Sequence, residues 1–264
     1  MPKEKRRKLI SNIILIVAIA VFLFSCYQLY TIYMEYHKGE EEYEHVIEQV
    51  ITEEVETIPN EEDENKEEEK VVFKVDFDKL LSINSETVAW IRFDEPSRIS
   101  YPVVQAKDND KYLTTTFEKK KNAAGALFVD ANNMGDFTDR NTFIYGHNMK
   151  NGSMFGQLRK YKSADFCKQY PYFYIYTPDG KIMQYQIFAV GIVEDTAESY
   201  MKFYSNEEEY EQYLDHIQSI ARYDTGVEVT AGSQIVSLST CTNVTETQRL
   251  LVHGVKISEE MMEE

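Results

Sequence analysis

The sequence has few cysteines, and they lie far apart. Its 264 residues contain three, Cys26, Cys167 and Cys241, and no two of them form a C-x-x-C pair. Structural zinc sites and thioredoxin-like redox motifs usually need such a pair, so its absence argues against both. An odd, sparse set is also a poor disulfide framework. We therefore expect at least one free thiol, and a free thiol outside the cell favours a catalytic role.

Basic residues are scarce relative to acidic ones. The chain has 28 Lys and Arg against 45 Asp and Glu, which gives a formal net charge of -17. Nucleic-acid binding needs a basic face that neutralises phosphates, so this acidic body argues against a nucleic-acid partner. Hydrophobic residues make up 43% of the chain, enough for the core of one sizeable domain.

An uncharged, mostly apolar run extends from Leu9 to Tyr30. At helical rise it covers about 33 Å, which crosses a hydrocarbon core of about 30 Å. Basic residues precede the run and acidic residues follow it, so the positive-inside rule places residues 1–8 in the cytoplasm and the rest outside. The alternative is a cleaved signal peptide, for which the run is long and its cleavage site weak. We predict a single-pass membrane protein with a transmembrane signal anchor at residues 9–30.

Residues 31–70 are rich in charge and predict an acidic stalk or linker before a folded extracellular domain at residues 71–264. Part of this segment is predicted to be helical from apolar residues at helical spacing, namely Tyr43, Ile47, Val50 and Ile51. The run EEDENKEEEK at residues 61–70 is expected to be solvated and mobile. Two interpretations stay open: a stalk that holds the domain away from an anionic surface, or a tolerated polar tail.

Beyond residue 71, short apolar runs alternate with turn residues. They are rich in Val, Ile, Tyr and Phe: Val88–Phe93, Tyr101–Gln105, Ala126–Val129, Thr142–Tyr145, Tyr172–Tyr176, Met183–Val193, Gln234–Ser239 and Leu250–Ile257. Their spacing predicts a mostly β domain, with a mostly antiparallel sheet or a closed barrel. A short helix that begins near Phe77 is predicted to stop at Asn84. A longer helix is predicted from a capping box at Ser205–Glu208 to a stop at Thr225-Gly226.

Two predicted strand ends carry residues suited to chemistry. The strand that begins at Ile235 ends in small hydroxyl residues and then Cys241. A nucleophilic cysteine needs partial exposure and an electropositive neighbour. Arg249 opens the next apolar run, so a short loop would place it beside Cys241, where it can donate to an oxyanion but cannot act as a base. Among five histidines, His147 alone closes an apolar run and opens a glycine-containing turn; taken alone, such a histidine is more often structural.

Three motifs resemble those of the sortase family. The segment Ser237–Cys241 reads SLSTC and resembles the TLxTC signature of sortases, with Ser for the first Thr. The segment Asn141–Met149 is similar to the family's histidine motif, and Arg249 matches its catalytic arginine. The similarity covers roughly residues 75–257, in order, and includes Trp90-Ile91, Tyr101–Gln105, Asp108–Leu113 and Gly125–Asp130.

Within the family the sequence is most similar to class B, which carries N-terminal helices and a long helix before the cysteine strand. The resemblance implies a closed eight-stranded sortase-type β-barrel with an N-terminal helix and one inserted helix. It implies catalytic roles for Cys241 as nucleophile, His147 as proton carrier and Arg249 as oxyanion donor. It also implies substrate contacts at Asn109, Leu113, Thr196, Tyr200, Met201 and Ser239, although Leu113 and Met201 also suit a plain core.

The resemblance further implies a cysteine transpeptidase. Such an enzyme cleaves a C-terminal sorting signal, similar to NPQTN or Pro-x-Thr-Gly, after Thr through a thioester, without a metal or cofactor. The expected partners are surface proteins that carry the signal, with peptidoglycan or its lipid-linked precursor as the amine acceptor. Alternatives are a plain cysteine protease, a pilus-polymerising sortase and a non-catalytic membrane-tethered receptor domain.

Overall fold

The computed structural model describes residues 3–59, 67–196 and 198–262. Within these ranges the helices are α1 (Lys3–Val50), α2 (Phe77–Ile83), α3 (Ala164–Gln169) and α4 (Glu207–Ser219). The strands are β1 (Ile51–Pro59), β2 (Glu67–Val75), β3 (Thr87–Phe93), β4 (Ser100–Val104), β5 (Leu127–Val129), β6 (Asn141–Tyr145), β7 (Tyr172–Tyr176), β8 (Lys181–Glu194), β9 (Ile235–Cys241) and β10 (Gln248–Met261). Short 3-10 segments lie at Lys111–Leu113, Phe155–Lys162 and Glu198–Tyr200.

Strands β3 to β10 close into one barrel. The order around it is β10, β8, β7, β3, β4, β5, β6, β9 and back to β10. Neighbouring strands are antiparallel, except that β4 with β5 and β6 with β9 are parallel pairs. The predicted closed eight-stranded barrel is confirmed, and each predicted apolar run coincides with one of its strands.

The core of the barrel is built from large apolar side chains. Trp90 on β3, Phe173 on β7 and Tyr185 on β8 are fully buried, and the last two rings stack with centroids 5.1 Å apart. Strand β9 lies between β6 and β10, and it is buried along its length as far as Thr240. A strand enclosed in this way is apolar with small hydroxyl residues, and it presents its last residue, Cys241, at the edge of the barrel.

The two predicted helices of the folded domain are present, with corrections at the ends of α4. Helix α2 ends at the cap residue Asn84, as predicted. The N-cap of α4 is Asn206 rather than Ser205, because the Asn206 side chain accepts a hydrogen bond from the backbone N–H of Glu209 at 2.8 Å. The helix ends at Ser219, before the predicted stop at Thr225-Gly226, since the backbone N–H of Arg222 already donates to a carbonyl on β8.

Helix α4 covers one side of the barrel through its apolar face. The buried residues of that face are Tyr210, Tyr213, Leu214 and Ile217. They form a separate cluster with Phe188 on β8 and Ile235 on β9. The inserted helix therefore packs on β8 and on β9, the strand that ends in Cys241, and the loop that precedes the helix reaches Ser239 near the same edge of the barrel.

Helix α1 is long and apolar enough at its N-terminal half to cross a membrane. It contains a window of mean hydropathy 2.7 whose residues are exposed in the isolated chain. The helix continues without a break from the predicted span at residues 9–30 to Val50. The apolar half of α1 is therefore a candidate span, and the second half leads directly to the barrel.

The second half of α1 extends the folded domain into the segment that was predicted to be a partly helical stalk. Tyr43, Val46 and Val50 are buried in the main core, so ordered packing begins well before the predicted boundary at residue 71. The reason is that the helical spacing of these residues forms an apolar stripe which fits the barrel surface. The backbone of residues 67–70 belongs to β2, which pairs with β1. Residues 61–66, the rest of the run predicted to be mobile, lie outside the described residues.

Tyr43 makes the most specific contact between α1 and the barrel. Its hydroxyl donates to the carbonyl of Gly125 at 2.6 Å and accepts from the backbone N–H of Phe117 at 3.3 Å. Its ring meets Tyr101 edge-on with centroids 5.3 Å apart. Gly125 has φ +58, and a Cβ there would lie 2.4 Å from the carbonyl oxygen of Tyr112. Tyr43 thus holds the backbone at Gly125, a position at which any other residue would clash.

We expect Tyr43→Phe to destabilise the domain by about 1–3 kcal/mol, because it leaves the buried Gly125 carbonyl without its donor. The measurement is chemical unfolding of the full chain in detergent micelles, followed by the fluorescence of Trp90. Tyr33→Phe on the exposed part of α1 is the control, with no expected change. Equal stability of the two variants would show that α1 is merely attached to the barrel.

Candidate active site

Cys241 stands at the end of β9, half-exposed at the edge of the barrel. Its carbonyl oxygen accepts a hydrogen bond from the Asn148 side-chain amide at 2.7 Å, and Asn243 in turn donates to the Asn148 carbonyl at 2.9 Å. All three cysteines are free, but Cys167 is buried. Burial raises the pKa of the Cys167 thiol, which makes it a poor nucleophile. Cys241 is therefore the thiol of the barrel that a substrate can reach.

Arg249 lies directly opposite Cys241 on the antiparallel partner strand β10. Side chains at directly opposed positions of an antiparallel pair point to the same face. The guanidinium donates from Nη2 to Asp195 at 3.0 Å. It also donates from Nη1 to the carbonyls of Glu246 at 2.6 Å and Gln248 at 3.2 Å. Three of the five N–H groups of the guanidinium thus donate to described residues, which hold it in place. The other two remain available to a ligand.

His147 follows β6, which runs parallel to β9. Tyr145 pairs with Ser239, so two residues further along each strand His147 comes level with Cys241. The ring atom Nε2 lies 2.7 Å from the carbonyl oxygen of Leu113. A carbonyl only accepts, so Nε2 carries the hydrogen in this contact and Nδ1 is left to exchange protons.

Gly146 gives His147 its position. A Cβ at this residue would lie 2.3 Å from Leu127 and 2.7 Å from the ring of Phe155. Only a residue without a side chain allows the backbone to pass so close to these two groups. The glycine before the histidine is therefore part of the geometry that brings the imidazole to the end of β6.

Cys241, His147 and Arg249 line one pocket of about 230 Å³. The remaining lining residues come from β5, β6, β9 and the segment before β5: Asn109, Leu113, Ala126, Phe128, Tyr145, Gly146, Ser239 and Thr240. The wall is mostly apolar, and its polar groups are few and localised, as is usual for ligand sites. The structure thus brings the imidazole of His147 together with a thiol and a guanidinium from a distant part of the sequence, the adjacent strands β9 and β10.

The residues predicted to contact substrate divide into two groups. Asn109, Leu113 and Ser239 line the pocket. Tyr200 reaches it through a 2.7 Å hydrogen bond between its hydroxyl and that of Ser239. Burial raises the pKa of Tyr200 to about 12, so the hydroxyl stays protonated.

The structure does not bring the other two predicted contacts to the pocket. Thr196 lies exposed in the turn after β8, and Met201 packs against the apolar cluster beneath α4. Neither is among the described residues that line the pocket. For Met201 the core interpretation therefore fits better than substrate contact.

Two residues that hold the site were not predicted. Asn148 directly follows His147, and its bond to the Cys241 carbonyl ties the two strand ends together. Asp195 follows β8, where the register of β8 with β10 brings it near Arg249. Asn148 could have been found from the sequence, because it lies inside the histidine motif. Asp195 has no such signal, because its role depends on strand register.

A buried polar chain runs beneath the site from β10 to β6. Ser237 donates to the side-chain oxygen of Asn141 at 2.7 Å, and the Nδ1 atom of His253 lies 2.7 Å from the same hydroxyl. The Ser237 hydrogen is used toward Asn141, so His253 donates to Ser237. Burial lowers the pKa of His253 to about 3. His253 is thus a neutral structural histidine, distinct from His147.

We expect the domain to lose stability as pH falls below about 6.5 because of His253. Its native pKa lies below that of the unfolded chain, so the unfolded chain takes up a proton that the native state excludes. The free energy of unfolding is therefore unaffected by this histidine above pH 6.5. At pH 5 it is lower by about 2 kcal/mol. Unfolding of the wild type and His253→Gln at pH 7 and pH 5 measures it. A pH dependence that is the same in both proteins would contradict the assignment.

The chain is similar to known proteins of one family. The family model described as the Sortase domain matches residues 95–257. The chain is 31% identical to Sortase B of Staphylococcus aureus over 184 residues, which cover 69% of this chain and 74% of that protein. The chain belongs to the sortase family.

Other relatives place this sortase in class B. It is 35% identical to Sortase B of Listeria monocytogenes over 164 residues, which cover 61% of this chain and 65% of that protein. The crystal structure of sortase B from Bacillus anthracis in complex with AAEK1 matches with a TM-score of 0.69 at 33% identity. That match covers 86% of this sortase and 99% of the other chain. A Staphylococcus aureus sortase B–substrate complex matches with a TM-score of 0.64 at 29% identity, over 69% of this chain and 84% of that one.

Proposed function

We propose that this sortase is a membrane-anchored cysteine transpeptidase that cleaves a C-terminal sorting signal after Thr and transfers the protein to a cell-wall amine. One observation carries the proposal. A half-exposed thiol, an imidazole and a guanidinium line the same pocket, and the guanidinium lies directly across the strand pair from the thiol. That set provides the nucleophile, proton carrier and oxyanion donor which acyl transfer needs.

The reaction begins with the thiolate of Cys241, whose proton is held on Nδ1 of His147. Its sulfur attacks the carbonyl carbon of the substrate Thr and forms a tetrahedral oxyanion. Arg249 donates hydrogen bonds to that oxygen from the N–H groups that its anchors leave available. His147 then protonates the departing amine as the peptide bond breaks, and the remaining acyl group is held as a thioester on Cys241.

The second half of the reaction reverses these roles. An acceptor amine enters the pocket, and His147 removes its proton as the nitrogen attacks the thioester carbonyl. The tetrahedral intermediate again places its negative oxygen at Arg249, and collapse releases the thiolate and a new amide. Water in place of the amine gives slow hydrolysis, which is the reaction of a plain cysteine protease.

The proposed substrates are secreted proteins with a signal similar to NPQTN or Pro-x-Thr-Gly. The proposed acceptor is an amine of peptidoglycan or of its lipid-linked precursor. In the proposed topology residues 1–8 are cytoplasmic and the barrel is outside the cell. Glu35, five residues after Tyr30 on the continuous helix α1, already contacts the folded domain, because its carbonyl accepts from the Asn122 side chain at 2.8 Å. The folded domain therefore begins about 8 Å beyond the end of the predicted span. This short distance supports an acceptor that is presented close to the membrane.

The test is a mass analysis of products from the full-length protein in detergent micelles. The substrates are two sorting pentapeptides, one of each proposed class, with and without an added amine. The proposal predicts a transfer product whose share rises with amine concentration. Hydrolysis alone at every amine concentration would favour the protease, and no cleavage of either peptide would favour the non-catalytic receptor.

A further inference from the structure

A buried ion pair joins the pocket wall to the loop between β8 and α4. Asp130 follows β5 directly, and its carboxylate is fully buried. Lys202 lies in the loop that leads to α4, and its ammonium group is 2.6 Å from the carboxylate. Neither residue belongs to the catalytic set proposed above, and neither is among the described residues that line the pocket.

The same carboxylate organises two side chains of the pocket wall. It accepts hydrogen bonds from the Tyr145 hydroxyl at 2.8 Å and from the Asn109 amide at 3.1 Å. Burial raises the pKa of Asp130, but donors from Lys202, the Asn132 backbone and Tyr145 outweigh it and hold this pKa below its usual range. Asp130 is therefore ionised, and its charge fixes the orientation of Tyr145 and Asn109 toward the pocket.

The loop that carries Lys202 also contacts the pocket at a second point. Two residues earlier, Tyr200 bonds to Ser239 and stacks on the ring of Phe143, with centroids 5.4 Å apart. The ammonium group of Lys202 lies 5.8 Å from the centroid of the same Phe143 ring. The loop is thus tied to β9 through Tyr200 and to the end of β5 through Lys202.

We propose that Asp130 and Lys202 form a latch that sets the pocket wall against this loop and so determines the affinity for the peptide substrate. A buried ion pair adds little net stability compared with apolar packing, but it fixes one arrangement of the groups around it. The proposal rests on the proposed function in taking a peptide as the ligand. Both residues are positioning residues, because they act through Asn109, Tyr145 and Tyr200.

The direct test is peptide binding in the full-length Cys241→Ala protein in detergent micelles. Fluorescence anisotropy gives the Kd of labelled sorting pentapeptides, one of the NPQTN type and one of the Pro-x-Thr-Gly type. We expect Lys202→Met to raise the Kd of the cognate peptide about tenfold, because the pocket loses its preorganisation. Lys202→Arg, which keeps the charge, restores most of the affinity.

The chain offers a matched control for the loss of a lysine ion pair. Lys256 on β10 pairs with Glu259 at 2.7 Å, and it lies seven residues along the strand from Arg249. That separation is about 23 Å, so this pair is far from the pocket. Lys256→Met is expected to leave the Kd unchanged. A Kd that is equal in the Lys202→Met and Lys256→Met proteins overturns the latch.

Two further measurements separate a latch from general damage to the fold. In the protein that retains Cys241, Lys202→Met should leave the rate of Cys241 alkylation by iodoacetamide within about twofold, since the small reagent does not use the peptide wall. The double variant Asp130→Asn/Lys202→Met removes both charges and avoids an unpaired buried carboxylate. We expect its Kd to match that of Lys202→Met, because residues that act as one unit are not additive. A Kd of the double variant that differs clearly from that of Lys202→Met, or slowed alkylation of Cys241 in Lys202→Met, overturns the proposal.

The two proposals fail in different ways. Peptide turnover by the protein with Cys241 intact tests the transpeptidase, and the Kd ratio in the Cys241→Ala background tests the latch. Absent turnover with a Lys202-dependent Kd refutes the transpeptidase alone. Normal turnover with an unchanged Kd for both peptides refutes the latch alone.

Discussion

Replacing Cys241 with alanine should lower sorting-peptide cleavage by at least about 10⁴-fold, which is typical of the loss of a catalytic nucleophile. The reason is that no other described thiol of the barrel is accessible, since Cys167 is buried and its pKa is raised by that burial. Cleavage of a fluorogenic sorting peptide by the full-length protein in micelles measures the effect.

Cys167→Ala is the matched control for Cys241→Ala. It removes a buried sulfur and is expected to lower stability while leaving kcat within about twofold, because Cys167 packs in the core away from the pocket. Thermal unfolding of each variant shows that a loss of cleavage is not a loss of fold. A Cys241→Ala protein that still cleaves the peptide would refute the nucleophile.

The second large effect is expected at Arg249. Arg249→Ala should lower kcat by about 10²–10³-fold with a smaller change in KM, because the lost hydrogen bonds are made mainly to the transition-state oxyanion. Arg249→Lys should recover only part of the rate. An ammonium group keeps the charge but loses the planar fork that Asp195 and the Glu246 carbonyl hold in place.

Steady-state kinetics with the cleaved peptide provide the measurement for Arg249. Arg222→Ala, which removes an exposed arginine after α4, is the control and should leave kcat unchanged. If Arg249→Ala changes KM alone, the guanidinium binds substrate uniformly and does not stabilise the oxyanion. If both arginine variants behave alike, Arg249 has no special role in the reaction.

The eight strands of the barrel could be predicted from sequence because their signal is local, whereas β1 and β2 were not predicted. Apolar runs between turn residues fixed the eight strand positions, and α2 ended at its predicted cap, Asn84. The predicted ends of α4 were wrong, because alternative cap residues and alternative backbone hydrogen bonds compete at each end. Asn206 is the better cap at the start, and the bond from Arg222 to β8 ends the helix early. Barrel closure followed from family resemblance, because strand order is not a local property.

The packing of α1 could not be predicted, because it depends on a surface that is distant in sequence. The sequence between the predicted span and residue 71 is strongly acidic, which favoured a solvated linker. The apolar residues Tyr43, Ile47 and Val50 were visible at helical spacing, but the surface that they pack against was not. Only the barrel supplies that surface, together with the buried carbonyl of Gly125 that accepts from Tyr43.

Residues of the candidate site could be predicted where they belong to a sequence motif. They could not be predicted where their contacts depend on how the strands pair. Cys241, His147 and Arg249 could be named from their segments. Asp195 and the Asp130–Lys202 pair depend on which strands and loops become neighbours. Thr196 and Met201 illustrate the reverse case, since they sit in the expected loop but do not line the pocket.

The most direct test is to locate the covalent intermediate. The full-length protein in micelles is mixed with a sorting peptide, quenched in acid after a few milliseconds to seconds, and digested for mass spectrometry. The account predicts an acyl adduct that ends in the substrate Thr on Cys241, absent from Cys26 and Cys167, and removed by an added amine. Release of product without any adduct on Cys241, or an adduct on another residue, would contradict it.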